Sequence, residues 1–241
     1  MPLSPADIAL VLVVTAQAAL MAYVHSPRLK ALIYTLPLPF TAATLSVGKP
    51  VDATNVWGWA ALFAYVWLAR FLYLRCRVPI LAAIVGSAVT YVLLGWAIAR
   101  SVGPSDWAFW LAAGAVWCAA LALAMVLPPR EEPGHRSALP IWAKLPPILV
   151  IVLLMVLLKN TLRGFVTTFP YVGVFAVYEA RHSLWTLGRQ VPIFAIAAVP
   201  MIVAIRLLQS AIGLPAALAA GWAVFLPILY VIYRSRLARK V

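Results

Sequence analysis

Groups able to do acid–base or metal chemistry are scarce in this chain. Only 6 of its 241 residues are Asp or Glu, 3 are His and 2 are Cys. No Ser-His-Asp set, HExxH helix, paired-carboxylate site or CxxC pair is present, so the chain reads as a non-enzyme. His25, His135 and His182 all fall in expected loops or at helix ends. Cys76 falls at an expected membrane edge and Cys118 inside an apolar segment. Neither a disulfide framework nor a metal site follows from them, and no cofactor is implied. A phosphate-binding P-loop is missing as well, so the chain would not power transport by itself. There is no basic stretch at the start, where Asp7 stands instead. The first apolar run therefore reads as a retained membrane helix rather than a cleaved signal.

What is abundant is apolar. Hydrophobic residues make up 65% of the chain and charged residues 10%, against about a quarter charged in a soluble domain. The expected class is an all-α polytopic membrane protein. A spanning helix needs roughly 20 apolar residues, and about nine such segments are legible. They lie near 5–24, 31–48, 55–74, 79–99, 106–127, 145–159, 163–180, 190–209 and 213–233. Trp57, Trp59, Trp107, Trp110, Trp142 and Trp185 fall near expected ends, where an interfacial aromatic belt belongs.

The net charge of +13 does not point to nucleic acid, because the basic residues cluster at helix ends and set orientation. With the N-terminus outside, Lys49, Arg100, Lys159, Arg163 and Arg206 are external. Every other Lys and Arg is internal, including the tail from Arg234 to Lys240. The positive-inside rule thus predicts an external N-terminus and a cytoplasmic C-terminus. Pro128–Pro147, with Glu131, Glu132, His135 and its prolines, reads as a cytoplasmic linker.

One segment occurs twice. Leu29-Lys30-Ala31-Leu32-Ile33-Tyr34-Thr35-Leu36-Pro37 returns as Leu162-Arg163-Gly164-Phe165-Val166-Thr167-Thr168-Phe169-Pro170. The leucine, the cation, the threonine and the proline keep register. Each copy opens with a positive charge and is interrupted about seven residues later, or roughly 10 Å into the membrane. Four helices, one linking helix and four more helices would set the second copy upside down. Lys30 would then be cytoplasmic and Arg163 external, as in an inverted repeat. The expected divisions are 1–101 for the first unit, 102–144 for the linking helix and linker, and 145–241 for the second unit and tail.

The second unit carries a resemblance. The aromatic-proline step Phe169-Pro170, the apolar run ending at Tyr178, and the short polar loop from Arg181 to Arg189 resemble the GlpM-like family of small bacterial inner-membrane proteins. The likeness is clearest over 162–205 and weaker over 29–74. The first unit departs from it by carrying both Pro37 and Pro39, and by having Ser46 where the second has Glu179. Family members are roughly half this length, so the resemblance implies two fused copies in a bacterial inner (plasma) membrane. The family has no firmly established chemistry, so the resemblance speaks to architecture.

A helix that restarts after a proline offers unpaired N–H groups and the positive end of its dipole. Two such ends facing each other would favour an anion or a strongly polar group. The expected solute site therefore comprises Lys30, Tyr34, Thr35, Pro37, Pro39, Thr41, Arg163, Thr167, Thr168, Pro170 and Tyr171, with Thr44 adding a hydroxyl. The bland alternative is that the threonines bond back to their own helix carbonyls. Glu179, with Arg181 nearby, reads either as a coupling or gating carboxylate or as an interfacial ion pair. Asp52 and Asp106 read as solvated residues. Arg70 and Arg206 either snorkel to the interface or line a polar cavity.

The leading expectation is a permease or channel for a small polar or anionic solute, with the lipid bilayer and that solute as partners and no nucleic acid. A homo-oligomer is compatible with this reading. The alternative is a non-transporting accessory or scaffold protein of an envelope or lipid-modifying assembly, in which the breaks only shape packing.

Overall fold

The computed structural model describes residues 4–103, 105–134 and 141–234. His135, Arg136, Arg236, Arg239 and Lys240 lie outside the described residues, as do the side chains of Arg28, Thr35, Trp142 and Lys144. The described residues are overwhelmingly helical. The long helices are α4 (Ala53–Leu74), α5 (Ile80–Ser101), α6 (Asp106–Val126), α7 (Ile141–Leu162), α9 (Leu184–Ile212) and α10 (Leu214–Arg234). Each supplies a stretch long and apolar enough to cross a membrane, that of α7 running from Pro146 through the following 3-10 turn to Val166. At 1.5 Å per residue, 22 residues reach roughly 33 Å, enough for the hydrocarbon core.

The expected nine spans are not reached. Helix α1 (Pro5–Tyr23) has 19 residues but only a shorter apolar stretch. The second expected span is two short helices, α2 (Pro27–Thr35) and α3 (Leu38–Val47). The seventh is a 3-10 turn, Arg163–Val166, followed by α8 (Tyr171–Glu179). None of these pieces crosses alone. The sixth is longer than expected, because the helix already starts at Ile141, inside the expected linker.

Helix α9 is central. Two-thirds of its spanning window is buried, 67% against 28–44% for the other five. Helices α4, α6 and α10 pack against it, and α5 packs on α4. Large apolar residues such as Leu93, Trp107, Met125 and Val231 face outward, as suits a surface bathed in lipid.

The short helices exist because proline lacks an N–H. In an unbroken α2 the Ile33 carbonyl would accept from residue 37. Pro37 cannot donate, and the buried Gln17 of α1 donates its Nε2 to that carbonyl instead. The second break is held by α4 and α5. Thr54 Oγ1 accepts the Gly164 N–H at 2.9 Å, and Asn55 Nδ2 donates to Thr167 Oγ1 at 2.9 Å. Tyr91 donates its hydroxyl to the Phe165 carbonyl at 2.9 Å and lies 3.0 Å from Thr168 Oγ1. The approach is close enough that a Cβ on Gly164 would strike the backbone nitrogen of Asn55, and one on Gly58 would overlap Thr168.

These side chains should therefore matter more than their size suggests. Tyr91→Phe and Thr54→Val each strand a buried backbone group and should cost about 1–3 kcal/mol. Ser101→Ala, which removes an exposed back-bond to Ala97, should cost nearly nothing. Unfolding in detergent would measure all three. Equal effects would mean that α4 and α5 do not hold the break.

Candidate functional site

The two breaks face one another. Pro37 is the N-cap of α3 and Pro170 the N-cap of α8. Neither helix start has a side-chain cap. The N–H of Phe40 in α3 and those of Val172 and Gly173 in α8 sit in first turns, where no helical acceptor exists. Both helix starts line a single cavity of about 40 Å³. At about 10–15 Å³ per water-sized position, it has room for a solute of two or three heavy atoms.

Tyr34, Trp59 and Tyr171 also line this cavity. All three are at least nine-tenths buried, at 7%, 5% and 1% exposure. The Tyr34 and Tyr171 hydroxyls and the Trp59 Nε1 have no hydrogen-bond partner. Tyr34 reaches from α2 across to α8, where its hydroxyl would lie 2.9 Å from a Cβ on Gly173. The remaining wall is mainly apolar, including Leu36, Phe40, Leu62 and Phe169. The site thus combines two helix N-termini with three unpaired hydrogen-bonding groups and no charged side chain.

Of the expected site residues, Tyr34, Pro37, Pro39, Thr167, Thr168, Pro170 and Tyr171 line this cavity. The Thr35 side chain lies outside the described residues. Thr41 is not in the wall. Its hydroxyl bonds back to the Pro37 carbonyl at 2.9 Å and accepts from Trp222 Nε1 at 2.9 Å. Thr44 bonds back to Phe40 and Thr167 to Gly164, at 2.7 and 2.6 Å, so the bland alternative holds for these hydroxyls.

The two cations of the repeated segment are also absent from the wall. Lys30 is buried, its Nζ 3.3 Å from the Glu179 carbonyl and 3.6 Å from Glu179 Oε2. Glu179 is fully buried, so this is an interior ion pair rather than an interfacial one. Arg163 lies at the opposite end of the bundle. It pairs with Asp52 and donates to the carbonyls of Ala99 and Val102. Arg181 does not join Glu179; it donates to the Tyr178 carbonyl and lies over the Tyr178 ring.

Asp52 is no free surface acid. It caps α4 in addition to holding Arg163. Asp106 pairs with Arg206 at 2.6 Å while remaining 80% exposed. Asp7 is buried in α1 and pairs with Lys159 at 2.8 Å, with the Ser46 hydroxyl on the same carboxylate. Arg70 stacks over Trp67 and Trp185.

A second cavity, of about 270 Å³, adjoins the Asp52 end. Its wall includes Lys49, Arg163, Arg206, Asp52 and Asn55, and it shares Thr167 with the first cavity. Trp59, Asn55 and Tyr91 are site residues that the sequence expectation lacks. Trp59 lies near the start of α4, where an interfacial belt is expected, yet it is buried. A polar residue in an apolar helix, as Asn55 and Tyr91 are, was the available signal. Among the described residues no cluster of three His, Cys, Asp or Glu is placed to hold a metal.

The Lys30–Glu179 pair makes a quantitative prediction. Glu179→Leu alone leaves a buried ammonium and should cost about 3–5 kcal/mol. The double variant Lys30→Met with Glu179→Leu should recover most of that loss. Unfolding of the single and double variants would test the coupling, and additive losses would refute it.

No family model, curated protein or solved structure matches this chain.

Proposed function

We propose that this chain is a membrane permease or channel for a small anionic or polar solute, bound between the two broken helices near mid-membrane. The observation that carries the reading is the cavity at which both breaks meet, with three buried hydrogen-bonding groups left unpaired. An unpaired buried donor costs about 1–3 kcal/mol. Tyr34, Trp59 and Tyr171 all belong to the cavity wall, and a modest turn of these side chains would offer their unpaired groups to a solute that accepts hydrogen bonds. Uncapped helix N-termini favour negative charge at the same point.

In this reading the architecture is two GlpM-like units in inverted orientation around α6, in a bacterial inner membrane. The order of elements supports it. Helix α1, broken α2/α3, α4 and α5 are followed, after α6, by α7, the broken turn and α8, α9 and α10. Lys30 and Arg163, which match in register, lie at opposite ends. Lys30 and Glu179 close the end that the charge pattern makes cytoplasmic, and we assign them the gate. Arg181 has no part in it.

The test is flux in proteoliposomes, with chloride, nitrate, formate, sulfate and phosphate as probes. Tyr34→Phe with Tyr171→Phe should leave stability unchanged or raised, because neither hydroxyl has a protein partner. Flux should fall at least about tenfold, the loss expected from about 1.4 kcal/mol of solute contact. Absence of flux of every probe through the unaltered protein would favour the scaffold reading.

Orientation is tested separately. In a Cys76→Ser, Cys118→Ser background, Lys49→Cys should label from outside and Arg75→Cys only from inside. The reverse pattern would invert the proposed topology.

A further inference from the structure

The two ends of the broken-helix pair differ, and the difference has chemical content. At one end Lys30 has the Glu179 carboxylate beside it, and both are buried. Arg163 is the register match of Lys30, and the register match of Glu179 is Ser46. Ser46 carries no charge, and its hydroxyl is taken by Asp7. The Arg163 end therefore has no carboxylate at the register-matched position; Arg163 is paired instead with Asp52, at the N-terminus of α4, and there the 270 Å³ cavity is found.

Three cations, Lys49, Arg163 and Arg206, line that cavity. Arg163 has Asp52 on one nitrogen. Arg206 has Asp106 on one nitrogen and the Val51 carbonyl, at 3.0 Å, on another. Lys49 is exposed and makes no ion pair among the described residues. Asp52 is in the wall, while Asp106 lies outside it and offsets Arg206 as its ion-pair partner. Counted with both partners, the three cations leave one formal positive charge, which a single monovalent anion would neutralise and a divalent one would overcharge. Thr167, which accepts from Asn55, is the residue the two cavities share.

We infer that this cavity is a loading site for a small monovalent anion, held by Lys49, Arg163 and Arg206 before it passes Thr167 into the uncharged site between the breaks. The inference rests on the permease reading and narrows its substrate class. The wide, charged cavity accepts the anion with part of its hydration. The narrow one has only neutral donors and room for two or three heavy atoms, so it rejects larger anions and any whose charge needs direct neutralisation. Selection is thus divided between charge at the mouth and size and dehydration at the centre.

The experiment separates the two sites by measuring binding and flux independently. Anion binding to the purified protein would be followed by calorimetry with nitrate and with formate, in gluconate buffer, and flux in proteoliposomes with formate, whose three heavy atoms fit the narrow site. Lys49→Gln and Arg206→Gln should each weaken nitrate binding by at least about fivefold, the scale of one partly desolvated charge contact. Asp52→Asn keeps a good N-cap but adds one net positive charge. It should tighten nitrate binding and allow sulfate to bind, which the unaltered protein should not do. Tyr34→Phe with Tyr171→Phe should lower formate flux at least about tenfold and leave loading-site binding intact.

If nitrate binding is indifferent to Lys49→Gln, Arg206→Gln and Asp52→Asn, the loading site is overturned, whether or not flux persists. If sulfate binds the unaltered protein as tightly as nitrate, the monovalent class is overturned. Charge-dependent binding without flux through the unaltered protein would uphold the site and refute the permease.

Discussion

Satisfying the backbone groups freed where Pro37 and Pro170 interrupt helices inside an apolar bundle is the constraint on which this structure depends. A membrane offers no water to these groups, so the protein must supply partners. Gln17 replaces the donor that Pro37 lacks. Thr54 and Asn55 of α4 and Tyr91 of α5 hold the segment before Pro170. The absence of side chains at Gly58 and Gly164 lets that segment approach α4. The breaks are thus built into their neighbours, and the surrounding helices are arranged to support them.

Once the breaks are fixed, the polar groups divide into two kinds. Ion pairs collect towards the ends of the bundle. Asp7–Lys159, Asp52–Arg163 and Asp106–Arg206 share one end, and Lys30–Glu179 lies towards the other. The centre, between the helix starts of α3 and α8, has hydroxyls and an indole but no charge. Under the proposed permease function, this gradient suits passage of an ion. Full charges at the centre would bind a counter-ion too tightly to release it, while neutral donors and helix dipoles hold it weakly.

Much of the central site was legible in sequence because it is local. Pro37, Pro39, Pro170, Tyr34 and Tyr171 stand within a few residues of the breaks, and the missing proline N–H together with the matching register of the two copies points to the interruptions. The charges misled for a physical reason. Lys30 and Arg163 each precede a break and were read as facing a solute. Their partners, Glu179 and Asp52, are distant in sequence, so pairing was invisible. Trp59 looked interfacial because it lies near a helix end, yet the packing of α4 against the breaks buries it.

By itself the sequence determined that the chain is apolar and helical and that Pro37 and Pro170 are places where a helix can be interrupted. Composition and the missing proline N–H suffice for that, but Pro146, Pro147, Pro192, Pro200 and Pro227 sit inside continuous helices, so the neighbouring helices decide which prolines become breaks. Only the tertiary structure decided that the two interruptions meet at one cavity, that Lys30 turns to Glu179 and Arg163 to Asp52, and that Gln17, Thr54 and Tyr91 satisfy backbone groups beside the breaks. Those outcomes depend on which helix faces lie together. In a chain this uniformly apolar, hydrophobic patterning does not distinguish a face turned to lipid from one turned to another helix.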